Sequence, residues 1–165
     1  MLEILGNLGD FVGGIAVLVT IGYLAVQMRS QTVANRRSTF QDLLNHQATL
    51  NLAWMTNQEL GDAFLGSRNQ SFEDMDPKTR SLLVTHAMMG LRQGQNAYSQ
   101  YLENAITREQ LRQLEMPLSA NLRPPYAQQL WDLNKTNFPK EFQRYIDEEV
   151  MPTAKEIARI EAALE

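Results

Sequence analysis

"FVGGIAVLVTIGYLAVQM" occupies Phe11–Met28 and holds no charged residue. As a helix rising about 1.5 Å per residue, these residues cover roughly 27 Å, close to the hydrocarbon thickness of a bilayer. Upstream, Ile4, Leu5 and Leu8 extend the stretch poorly because Asn7 and Asp10 interrupt them. Three readings compete: a membrane span, a cleaved signal, and a buried helix of a soluble bundle. A signal peptide starts basic and ends at a small-x-small cleavage site. This chain starts with Glu3 and Asp10, and Ala25-Val26-Gln27 does not fit such a site. A soluble core helix carries a charged stripe on its outer face. No face is charged here, so the sequence predicts a span.

The chain then reads "RSQTVANRRS", with Arg29, Arg36 and Arg37 close to the apolar run. Basic residues beside a span stay in the cytoplasm. The N-terminus is therefore expected outside and everything after the span in the cytoplasm. We divide the chain into a transmembrane anchor, 1–30, and a cytoplasmic helical domain, 31–165.

The 165 residues suffice for one modest core. Hydrophobic residues make up 44% and charged residues 21%, which fits a globular domain beside the span. A formal net charge of −4 speaks against nucleic acid, whose phosphates need a basic surface. The absence of cysteine excludes disulfides, thiolate metal sites and cysteine nucleophiles.

No proline interrupts the chain between Val12 and Trp54. Val26, Val33 and Phe40 recur every seven residues, a helical spacing, so one helix is expected to leave the membrane and run to about Met55, roughly 65 Å in all. A short helix over Gln58–Leu65 and the polar loop "GSRNQSFED" follow. Asp76-Pro77 is a helix start, a cap followed by proline at the first helical position. That helix should run to about Asn104, with Leu83, Ala87, Leu91, Tyr98 and Leu102 on its apolar side. Thr107–Gln110 has the form of a capping box, opening a helix to about Glu115, just before Pro117. Pro124-Pro125, Pro139 and Pro152 mark three further starts. No alternating strand pattern appears. The expected fold is all-α: an N-terminal transmembrane helix continuing into a long helix, then a small bundle of short helices. Trp54 and Trp131 read as core, Trp54 docking the small helices against the long one.

Counted in sevens, the span carries Gly6, Gly13, Thr20 and Gln27 on one line, and Gly9, Ala16 and Tyr23 on the next. Leu8, Phe11, Ile15 and Leu18 lie opposite. Small residues let membrane helices approach closely, and Gly9-x-x-x-Gly13 is such a pair. A lone span has no second span of its own, so the seam predicts a homo-oligomer or an unknown protein partner's span. A sharper alternative is a ring of copies forming a channel, its pore lined by Thr20, Tyr23 and Gln27.

Chemistry is sparse. Asp42 and His46 share a helix face, but two ligands make no metal site, and the Glu-x-x-His pairs of di-iron bundles are missing. "DMDPKTR" lacks the glycine and the final glutamate of a calcium loop. "GNLGDFVGG" follows no strand and has no phosphate-binding lysine. Glu148-Glu149 reads as a solvated face. Arg92 and Asn96, one turn apart among apolar neighbours, are expected to form a buried polar cluster or a ligand contact, the structural role being favoured. No catalytic residue, metal or cofactor is assigned, and no enzymatic activity is expected.

"IGYLAVQMRSQTVANRRSTFQ" (Ile21–Gln41) and "LRQGQNAYSQYLENAITREQLR" (Leu91–Arg112) resemble a widespread family of uncharacterised bacterial single-span proteins with a small helical cytoplasmic domain. In that family an arginine is followed by Phe-Glu-Asn and then by tyrosines. Here Arg92 is followed by Gly94, Gln95 and Asn96, then Tyr98 and Tyr101, without the glutamate. The resemblance implies a bacterial inner-membrane location and no assigned enzyme. The expected function is that of a self-associating structural or interaction module in contact with membrane lipid.

Overall fold

A computed structural model of the chain describes residues 2–163. At the level of side chains, Gly6, Leu8, Gly9, Phe11 and Trp54 lie outside the described residues. The structure is 87% helical with no strand among the described residues, so the all-α class holds. The helices are α1 (Leu2–Thr56), α2 (Gln58–Gly66), α3 (Pro77–Leu102), α4 (Arg108–Asn121), α5 (Pro125–Asn134), α6 (Lys140–Tyr145) and α7 (Met151–Ala162). Two compact units divide the chain, Met1–Ser38 and Thr39–Glu165.

In the first unit every described side chain, 13 to 38, is exposed. One helical stretch among the described residues, Gly13–Ala53, holds a window long and apolar enough to cross a membrane. Within the second unit, burial starts with Leu43 on the last third of α1.

The second unit is built on α3 and α4. Asp76 caps α3, its carboxylate accepting from the backbone N–H of Lys78 and Thr79. Thr107 and Gln110 exchange the two bonds of a capping box at the start of α4. Leu83, Ala87, Gly90, Leu91, Gly94 and Ala97 form the buried face of α3, at three- and four-residue spacing. Leu102, expected on this face, is half exposed as the last residue of the helix. Leu111, Leu114 and Leu118 form the facing stripe of α4. A Cβ on Gly94 would lie 2.6 Å from Leu118 Cδ2 and one on Gly90 2.9 Å from Asn121 Nδ2, so both glycines set how closely α3 and α4 approach.

Aromatic rings fill the other side. Trp131 is fully buried and meets Phe142 edge-on at 6.1 Å and Phe138 at 5.4 Å. Each large side chain so buried contributes about 1.5–3 kcal/mol. A smaller cluster gathers Met75, Leu83, Tyr126 and Ala127 beneath Phe64 and Phe72.

One proline does not end its helix as expected. Pro117 lies inside α4, which continues to Asn121. The lost N–H bond is outweighed because the turn after Pro117 buries Leu118 and Ser119, with Leu122 buried at its end. Pro152 is the second residue of α7, as its expected helix start requires, although α7 follows α6 without a break. Residues Ile146–Val150 form a π turn that joins α6 to α7, and the Met151 N–H reaches back to the Ile146 carbonyl. This widened turn immediately precedes Pro152, where a regular helix would meet the proline ring.

Candidate functional site

The expected membrane seam can be followed from Gly13 onward. Gly13, Gly14 and Gly22 have open space where a Cβ would point. No contact among the described residues requires glycine there, although each glycine costs a helix about 1 kcal/mol relative to alanine. Gly90 and Gly94 have such a contact. Ala16, Tyr23 and Gln27 are exposed. The Thr20 hydroxyl donates to the Ala16 carbonyl of its own helix at 2.8 Å, so its donor is already used and only acceptor capacity is left.

Arg92 and Asn96 do not make a buried polar cluster, because both are exposed. The Arg92 Nη1 donates to Gln95 Oε1 at 2.9 Å, and the guanidinium stacks over the Phe138 ring, 4.4 Å from its centre. Both have apolar neighbours in sequence, but they fall at the edge of the buried face.

What Arg92 and Asn96 do share is a groove. It lies within the second unit, between residues 46–50 of α1 and residues 84–96 of α3, with a volume of about 680 Å³. Leu50, Val84, Met88 and Met89 supply an apolar lining, and His46, Arg92 and Asn96 supply polar groups. Met89 is half exposed. Gln93 Nε2 donates to the Leu43 carbonyl at 3.0 Å and ties the two helices together beside it. His46 Nδ1 lies 3.0 Å from the Asp42 carbonyl oxygen, not from its carboxylate. No cluster of three metal-ligating side chains occurs among the described residues.

A second polar constellation joins α4 to the α6–α7 helix. Arg108 pairs with Glu115 at 3.1 Å and with Glu149. The Tyr145 hydroxyl donates to Glu115 at 3.0 Å, and Tyr98 stacks on Tyr145 at 4.2 Å. Burial, followed by the negative field of Glu115, pushes the Tyr145 hydroxyl above the usual tyrosine range. This network holds its hydroxyl protonated and its carboxylates paired, an arrangement that locks helices together. Glu149, expected on a solvated face, is exposed, and its carboxylate is committed to Arg108.

Next to the first turn of α3, a groove of about 640 Å³ is lined by Glu59, Asp62, Asp76 and Lys78 among others, and Lys78 pairs with Glu59 across it.

No family model matches the chain, and no curated protein or solved structure matches it either.

Sequence reasoning missed the apolar groove and the Arg108 network. Both need helices distant in the chain to meet. Met88-Met89 followed by Arg92 on one helical face was the signal available for the groove.

Proposed function

We propose that the chain is a single-span membrane protein that self-associates and presents a helical interaction module. Residues 11–28 cross the bilayer, with the N-terminus outside and the module in the cytoplasm. The observation that carries this reading is the charge-free stretch whose described side chains, 13 to 28, are all exposed. Ile15, Leu18, Val19, Ile21 and Leu24 have apolar surface on every side of the helix, which lipid accepts and water does not. Arg29, Arg36 and Arg37 support the orientation. The likeness to bacterial single-span proteins supports an inner-membrane location. The open glycines on α1 support association, since close backbone approach by a second helix would give them a role. Plain packing is favoured over a pore because the Thr20 donor is engaged with its own helix.

The chain has no cysteine, so single cysteines can be placed at will. Ser38→Cys is expected to react with an impermeant maleimide only after the inner membrane is opened; labelling of intact spheroplasts overturns the orientation. Particle mass in nanodiscs, with the lipid subtracted, is expected to be a multiple of the 18.8 kDa chain. Gly13→Leu should reduce it toward one copy. A wild-type monomer overturns self-association, and a multimer unchanged by Gly13→Leu overturns the seam.

A further inference from the structure

We propose that the groove between residues 46–50 of α1 and residues 84–96 of α3 binds a single-chain amphiphile with an anionic head, held by Arg92. The proposal is independent of how the span associates.

The groove's size falls within the range of small-ligand sites, about 300–1,000 Å³, and its lining is mostly apolar with a few polar groups, as such sites require. Leu50, Val84, Met88 and Met89 offer a tail its apolar contact, and methionines adapt to flexible chains. From Val84 to Arg92, α3 rises about 12 Å, so the lining is an elongated track between two helices, suited to one extended chain.

Arg92 supplies the choice of head. Arg108 and Lys135 are paired with carboxylates, and so is Lys78. Arg92 has no carboxylate partner among the described residues; it is held by two uncharged groups, Gln95 Oε1 and the Phe138 ring. These fix the plane of the guanidinium without neutralising it. The remaining N–H groups form the planar fork that matches a carboxylate or a phosphate oxygen pair. Asn96 and His46 add polar groups near the same lining. A fixed, unneutralised arginine at the edge of an apolar track fits an anion with a tail. A neutral apolar helix from a second copy would leave that charge unanswered.

The test uses the full chain in phosphatidylcholine nanodiscs with a tail-diazirine palmitate, its methyl ester, and the corresponding lysophosphatidate. After illumination the labelled residues are mapped. Both palmitate forms should label the span equally, which serves as the internal standard. In the segment 84–92 the free acid is expected to exceed the ester by about ten-fold, the loss expected of one charge-assisted hydrogen bond. Arg92→Gln should remove that excess. Met89→Glu, at a half-exposed position, should remove it as well. Labelling of 84–92 above the ester by the acid, by the lysophosphatidate or by both supports the proposal and identifies the head as carboxylate, phosphate or either. No labelling of 84–92 beyond the ester, or an excess that survives Arg92→Gln, overturns it. So does a fall in particle mass on Arg92→Gln, which would make a second copy the occupant.

Discussion

Replacing Gly94 with alanine should weaken the fold where the same change at Gly90 does not. Both substitutions gain about 1 kcal/mol of helix propensity. They differ in what the new methyl meets. At Gly94 it would sit 2.6 and 3.1 Å from the two Cδ atoms of Leu118 and 3.4 Å from its Cγ. Turning one methyl of Leu118 cannot clear all three contacts, and Leu118 is buried. Forcing an extra carbon into such a site costs about 1–3 kcal/mol. At Gly90 the methyl meets the Asn121 amide nitrogen at 2.9 Å and no backbone atom, and a half-buried amide can turn aside. Gly90→Ala is therefore expected to be neutral or stabilising by up to about 1 kcal/mol. Gly94→Ala should fall below it by about 1–3 kcal/mol, or roughly 4–12 °C in Tm for a domain of this size. The assay is thermal and urea unfolding of the full chain in nanodiscs. It is read by Trp131 fluorescence in a Trp54→Phe background, since Trp131 is fully buried. In a common Leu118→Ala background, the effects of Gly94→Ala and Gly90→Ala should converge. If Gly94→Ala unfolds no earlier than Gly90→Ala, close α3–α4 approach is not what fixes that glycine.

Buried His86 has its imidazole pKa lowered to about 4 by desolvation. An unfolded histidine titrates near 6.5, so below that pH the unfolded chain takes the proton first. Stability contributed by neutral His86 should be lost as pH falls from about 6.5 to 4, by on the order of 3 kcal/mol. His86→Gln should lack that part of the slope in urea titrations across this range; an unchanged slope would refute the assignment. The Trp131 Nε1–H donates to Asp147 Oδ1 at 2.7 Å. Asp147→Ala should cost about 1–3 kcal/mol by leaving the indole donor unpaired, whereas Asp147→Asn, which keeps an acceptor, should stay near wild type. Equal denaturation midpoints for the two variants would show that the bond contributes nothing.

Local signals were legible in the sequence where the chemistry is local. Asp76-Pro77 and the Thr107–Gln110 box name their own hydrogen bonds, and the structure makes those bonds. Trp131, expected in the core, is fully buried. Pro117 misled because a proline states only its own cost, while the gain from burying Leu118 and Leu122 is made by tertiary contact. Arg92 misled for a similar reason. Its place on the helix was readable, but the Phe138 ring that holds it comes from a segment 46 residues away. The groove needs α1 beside α3, and no periodicity in one helix announces its neighbour.

The π turn at Ile146–Val150 also has an arithmetic consequence. Phe142 and Tyr145 of α6 and Ile146 at the start of the π turn are buried, and a regular helix would next turn Glu149 and Thr153 inward. One extra residue in the turn shifts the count, so Val150 and Ala154 are buried and Glu149 faces out toward Arg108. The two halves of this helix therefore follow the same hydrophobic rhythm, one step out of phase. A relative without Pro152 could drop a single residue here and bury the same side chains. Any comparison of such chains must open a one-residue gap in the middle of an unbroken helix.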